Sequence, residues 1–209
     1  MAGLGAAALL GVVEGLTEFL PVSSTGHLII AGHLLGFTGP MADAFDVIIQ
    51  LGAILAVVVL YRERFLALVR PSAIPDVEPP PFSGMRGILL LGLTSLPILV
   101  TGFLLHRQIK EYLFSPVTVA WALIAGALLI LVVESRPRRA DVDGIDAMTP
   151  MLALGIGLFQ CLALWPGFSR AAATIMGGML LGVERRTAAE YSFIAAVPVM
   201  CAATGWDLL

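Results

Sequence analysis

Apolar residues run almost unbroken along the chain, and polar ones gather at a few points between the runs. Gly87–Leu105 (19 residues), Pro116–Val133 (18) and Thr149–Phe168 (20) carry no charge. Ala44–Tyr61 (18) carries one acid, Asp46, and Tyr191–Trp206 adds 16 uncharged residues. Each run is near the ~20 residues needed to cross a ~30 Å hydrocarbon core. A helix satisfies its own backbone in lipid, so helices are predicted. The alternation of a membrane β-barrel is absent. Ala2–Val13 is apolar but has no basic residues before it, and Glu14 and Glu18 follow where a cleavage site would be, so it reads as part of the fold.

Two stretches break the pattern. After Ala2–Phe19 comes Leu20-Pro21-Val22-Ser23-Ser24-Thr25-Gly26, then a short apolar run to Leu35. After Thr149–Leu164 comes Trp165-Pro166-Gly167-Phe168-Ser169-Arg170, then a short run to Gly182. As helices, Ser24–Leu35 and Ser169–Gly182 would reach only ~18 and ~21 Å. Helix, Pro/Gly/Ser break, short helix is the pattern of a re-entrant hairpin, which needs protein or a watery cavity around its tip.

The two stretches align without a gap at an offset of 146, pairing Gly11 with Gly157, Ser23 with Ser169, Gly32 with Gly178 and Gly36 with Gly182. Glu14 pairs with Gln160, and Ser24 with Arg170. Three spans separate the copies, so the second should be inverted. Basic residues favour one side. Arg62, Arg64, Arg70 and Arg86, then Arg136, Arg138 and Arg139, then Arg185 and Arg186 fall in loops read as cytoplasmic, against Arg107 and Lys110 outside.

The expected fold is an all-α polytopic membrane protein: an inverted repeat of re-entrant helical hairpins plus transmembrane helices. It forms one integral membrane domain over residues 1–209, with hairpins at 1–35 and 149–182, three transmembrane helices over 44–134 and another at 188–207. By the repeat logic the second copy looks truncated by about 70 residues. Ala195, Ala196, Ala202 and Ala203 would then lie exposed.

Composition narrows the function. The chain is 58% hydrophobic and 13% charged, with mean hydropathy +0.95. A net charge of −3 offers no basic surface for nucleic acid. Cys161 and Cys201 sit in apolar runs and suggest neither a disulfide framework nor a metal cluster.

The chemistry gathers at the breaks. Glu14 and Glu18, at i and i+4, share a helix face, and carboxylates are costly in a membrane. They read as a pair that binds a divalent cation, Mg²⁺ or Ca²⁺, or faces a buried cation. Ser23, Ser24 and Thr25 sit where hydroxyls and free N–H groups can cap a helix, hold a phosphate, or do both. His27, one turn on, is a candidate acid–base group. Arg170, at the second break, needs an anion at that depth, and its planar fork suits phosphate. Ser169 and Thr174 flank it. Together these residues suit phosphoryl transfer. Asp46, Gln50 and Gln160 read as packing or supporting groups, Arg62 and Arg64 as topology determinants, and His33 and His106 as interfacial. A lipid-phosphate transporter or flippase with the same architecture is the alternative.

Glu14-Gly-Leu-Thr-Glu18-Phe-Leu-Pro-Val-Ser23-Ser24-Thr25-Gly26-His27-Leu28 resembles the first signature of bacterial undecaprenyl-diphosphate phosphatases of the bacitracin-resistance type. Phe159-Gln160-Cys-Leu-Ala-Leu-Trp-Pro166-Gly167-Phe168-Ser169-Arg170, with Thr174, resembles the second. The resemblance implies hydrolysis of undecaprenyl diphosphate to undecaprenyl phosphate and inorganic phosphate, which recycles the carrier for wall synthesis. It also implies a divalent cation and an inner-membrane site open to the periplasmic side. The implied partners are the polyprenyl diphosphate and membrane lipids, with a homodimer allowed. By the same resemblance Glu14 and Glu18 form the acidic pair, Ser24 is the favoured nucleophile and His27 its proton partner. Arg170 clamps phosphate with Ser23, Thr25, Ser169 and Thr174. The family usually reads Ser-Arg-Ser-Gly-Ala-Thr where this chain has Ser169-Arg170-Ala171-Ala172-Ala173-Thr174. Ala172 is strained there if its φ is positive and favourable if it is helical.

Overall fold

Backbone surrounded by lipid must bond to itself, and this chain does so with helices. The computed structural model describes residues 2–69, 81–113, 115–135 and 140–207. In chain order they form α1 (Ala2–Thr17), α2 (Ser24–Leu35), α3 (Pro40–Leu60), α4 (Arg62–Val69), α5 (Gly84–Tyr112), α6 (Pro116–Glu134), α7 (Pro150–Gln160), α8 (Arg170–Leu180) and α9 (Arg185–Asp207). Single 3₁₀ turns cover Ile145–Ala147 and Cys161–Leu164.

Among the described residues α5, α6 and Arg185–Trp206 of α9 are long and apolar enough to cross a membrane. α3 and α4 meet that test together, bent by 78°. Leucines, isoleucines and valines such as Leu4, Leu60, Val117 and Leu131 face outward, as lipid contact requires. The chain is a multi-pass membrane protein.

α1/α2 and α7/α8 form the two hairpins, each helix too short to cross alone. Their local geometry repeats at the offset of 146. Ser23 caps α2 by accepting from the Gly26 N–H, and Ser169 caps α8 by accepting from the Ala172 N–H. Each helix closes at a glycine with positive φ, Gly36 at 63° and Gly182 at 88°, conformations that side chains resist.

The core lies where α5, α7, α8 and α9 meet, around Leu90, Ile156, Met176, Tyr191 and Ile194. Close approach comes from small residues, as between membrane helices generally. A Cβ on Gly157 would stand 2.6 Å from the Thr94 carbonyl oxygen of α5. A polar node locks the same junction. Thr94 Oγ1 donates to the Ala153 carbonyl at 3.0 Å and lies 2.6 Å from the Tyr191 hydroxyl, while Gln160 Nε2 donates to the Thr94 carbonyl at 3.1 Å.

Three expectations change. Residues 62–69, read as loop, form α4, because Phe65 and Leu68 give it an apolar face against the core. Arg64 is an anchor as well as a topology signal, pairing with Asp146 at 3.1 Å and Glu190 at 3.5 Å. Ala195 and Ala196 are buried, because Ala195 packs in the main core and Ala196 against Ile54 and Met200; Ala202 and Ala203 are exposed as expected. Arg70, Arg136, Arg138 and Arg139, used for topology, lie outside the described residues.

Candidate active site

The Pro/Ser break after α1 turns the chain so that α2 starts at Ser24. The Pro/Gly break after α7 does the same for α8, which starts at Arg170. The turn at Ser23 is held with φ 63° and ψ 98°, outside the regions a side chain prefers. Such a conformation costs about 1–3 kcal/mol and persists only where its surroundings enforce it. The His27 ring contributes, with Nδ1 lying 2.8 Å from the Ser23 carbonyl oxygen.

The two tips meet on one carboxylate. Arg170 Nη2 donates to Glu18 Oε1 at 2.9 Å, and the Ser24 hydroxyl donates to Glu18 Oε2. Both side chains of the ion pair are 11% exposed. The guanidinium is steadied by the Ser192 carbonyl at 3.4 Å and by Met200 Sδ at 3.5 Å. Ser169 Oγ reaches the Leu20 carbonyl at 3.5 Å, a second, longer link between the tips.

These residues open on a cavity of about 650 Å³. Glu18, Ser23, Ser24, Thr25, Ser169 and Arg170 lie on its wall. The N-terminal ends of α2 and α8 therefore converge there, and helix N-termini favour anions.

Glu14 sits behind the wall. It is 1% exposed, and neither carboxylate oxygen has a hydrogen-bond partner among the described residues. The nearby Ser24 hydroxyl gives its proton to Glu18 instead. The charges of Glu18, Asp46 and Arg170 all act on Glu14. The Glu18 N–H donates to the Glu14 carbonyl at 2.9 Å, continuing the helical turn and keeping both acids on one face. A buried carboxylate without a donor is a position a cation would satisfy. Among the described residues no three His, Cys, Asp or Glu side chains form a closed metal cage. The two carboxylates are oxygen donors of the kind a hard divalent cation takes.

Other candidates stand further back. His27 is exposed and makes no bond to Ser24, whose hydroxyl donates its hydrogen bond to Glu18. Thr174 is buried, with its hydroxyl bonded to the Arg170 carbonyl at 2.9 Å and lying 2.6 Å from Ser192 Oγ, so it supports Arg170 from behind. Gln160 belongs to the α5–α7 junction. Ala172 is helical and fully buried, so the glycine replaced there is not needed for a positive φ. Gln50, His106 and Lys110 line the cavity although the sequence assigned them to packing, an interface and a loop.

The chain matches the family described as "Bacitracin resistance protein BacA" over residues 7–209. The chain belongs to this family. Curated relatives agree along the whole chain. A Maridesulfovibrio salexigens protein named "Undecaprenyl-diphosphatase" is 66% identical over 209 residues, covering 100% of this chain and 77% of the relative. A protein of the same name from Nitratidesulfovibrio vulgaris is 66% identical over the same length, with the same coverage. One from Lawsonia intracellularis is 55% identical over 211 residues, again covering 77% of the relative. In this member of the BacA family both signature motifs end on the Glu18 carboxylate.

Proposed function

We propose that this protein is an undecaprenyl-diphosphatase of the bacterial cytoplasmic membrane, releasing inorganic phosphate and undecaprenyl phosphate where the two hairpin tips meet. The name shared by relatives at 66% identity supports the reaction. The observation that carries the site is the Glu18 carboxylate, which holds the Ser24 hydroxyl on one oxygen and the Arg170 guanidinium on the other.

That arrangement suits nucleophilic phosphoryl transfer. Ser24 Oγ bonds to the terminal phosphorus as its proton passes to Glu18 Oε2. The anhydride P–O bond breaks, and its electron pair leaves on undecaprenyl phosphate. Water then attacks the phosphorus of the Ser24 phosphoester and the P–Oγ bond breaks; Ser24 takes its proton back from Glu18, one water proton stays on the inorganic phosphate released and the other passes to solvent. Protonating Glu18 weakens its hold on Arg170, so the guanidinium turns its charge to the phosphoryl oxygens when they need it. Ser23, Thr25, Ser169 and the two helix N-termini supply further donors. Glu14 and Glu18 would hold Mg²⁺ or Ca²⁺, which supplies charge stabilisation for the diphosphate.

The capping pattern, repeated at an offset of 146 residues with three membrane-spanning segments between the copies, supports an inverted repeat with re-entrant hairpins. In this reading the cavity opens toward the periplasmic side, where the product joins the carrier pool for peptidoglycan synthesis. Hydrolysis of the pool would confer bacitracin resistance. The test is phosphate release from undecaprenyl diphosphate by the purified chain in detergent, with both products identified. Flipping of the lipid without phosphate release would instead favour the transporter.

A further inference from the structure

The ionisable side chains on the cavity wall are Glu18, Arg170, His106 and Lys110. The first two are paired with each other. Neither His106 nor Lys110 has a hydrogen-bond or ion-pair partner among the described residues. The free positive charge of the cavity therefore lies away from the hairpin tips.

Its position follows from helix geometry. Gly102 of α5 stands level with the second hairpin, where a Cβ on it would lie 3.2 Å from Leu164 Cδ2. His106 and Lys110 follow on the same face, about 6 and 12 Å further along the axis. Across the cavity, Met200 of α9 touches Arg170 at 3.5 Å. Trp206 lies about 9 Å beyond it. The two walls close on each other at that height, where the Trp206 and His106 ring centroids are 6.1 Å apart. Apolar walls concentrate the field of an unpaired cation at such a narrowing.

We propose that His106 and Lys110 form a second phosphate-binding site on the α5 wall of the cavity, separate from the Arg170 clamp. Its ligand is a phosphate anion, supplied by the released inorganic phosphate or by the lipid headgroup. The lysine offers a point charge and the imidazole a hydrogen bond, while the aromatic contact holds the imidazole in place. This rests on the phosphatase reading for its ligand, but its test does not depend on turnover.

Purified full chain in neutral detergent is titrated with inorganic phosphate and followed by ³¹P NMR line broadening. Each substitution removes one charge-assisted hydrogen bond to the anion, so H106Q/K110Q should bind about tenfold more weakly or worse. Arg170→Lys weakens the separate clamp at the hairpin tips, so the loss caused by H106Q/K110Q should persist at about tenfold when it is made in an Arg170→Lys background. Gel filtration and circular dichroism check that each variant is folded, as expected for the exposed positions His106 and Lys110. A parallel titration with micelles of undecaprenyl phosphate distinguishes the two sources. Weaker binding there too assigns the site to the headgroup, and unchanged binding there assigns it to the free product. Inorganic phosphate binding equal in wild type and H106Q/K110Q overturns the site, as does its complete loss in Arg170→Lys. Either result leaves the phosphatase reading standing, and an inactive enzyme would leave this binding test intact.

Discussion

Ser24 and Arg170 occupy equivalent places in the two repeated motifs, as the first residues of α2 and α8, and both bond to the single carboxylate of Glu18. Two halves of the sequence that match each other thus complete one site. The match is broken at the site itself: one copy offers a hydroxyl and the other a charge.

Arg170→Lys tests the fork. A lysine keeps the charge but cannot reproduce the planar geometry that engages Glu18, Ser192 and a phosphate together. We expect kcat/KM for phosphate release to fall by about 10²-fold, or ~3 kcal/mol of transition-state stabilisation.

Glu14 and Glu18 should separate under metal titration. Glu14→Gln removes a buried carboxylate that no hydrogen bond from the described residues serves. It should raise the Mg²⁺ or Ca²⁺ concentration for half-maximal activity and be partly rescued by excess cation. Glu18→Gln also removes the Ser24 proton acceptor and the Arg170 counter-charge. Its kcat should fall by about 10²-fold or more, with no rescue to wild-type rate.

His27 offers a choice between proton transfer and positioning. Its Nδ1 lies against the carbonyl of the strained Ser23 turn, not against Ser24. His27→Asn can still donate there, whereas His27→Ala cannot. If the ring acts by holding the turn, kcat for His27→Asn should exceed that for His27→Ala by about tenfold, the worth of one charge-free hydrogen bond. Equal loss in both variants would return the proton-transfer role to the imidazole.

Packing is tested at Gly157. An added methyl meets the Thr94 carbonyl at 2.6 Å, and backbone cannot yield as a side-chain tip does. Gly157→Ala should destabilise the α5–α7 junction by about 1–3 kcal/mol, read as a lower melting temperature in detergent.

Much of this was legible in the sequence. The α1/α2 and α7/α8 pairs were visible because each joins two apolar runs too short for the membrane, and Pro and Gly mark the break. Arg170 stood out because a cation at that depth demands a partner. Which acid of the Glu14/Glu18 pair serves it was not legible: Glu18 meets Arg170 only because the two tips touch, a contact no local pattern encodes. The face of α5 was equally hidden. Gly87–Leu105 is apolar all round, so nothing in its period said that His106 and Lys110 continue the cavity wall. Thr174 kept the motif spacing, yet one turn of α8 carries its hydroxyl behind Arg170 to Ser192.

The most direct measurement is phosphate release and lipid-diphosphate binding on the same preparations of wild type and Ser24→Ala. Ser24 lines the cavity and donates to Glu18, so removing its oxygen should abolish turnover while leaving Arg170 and the helix N-termini to bind substrate. The account predicts binding within a few-fold of wild type, with no phosphate released above background. A Ser24→Ala variant that releases phosphate at the wild-type rate would contradict it.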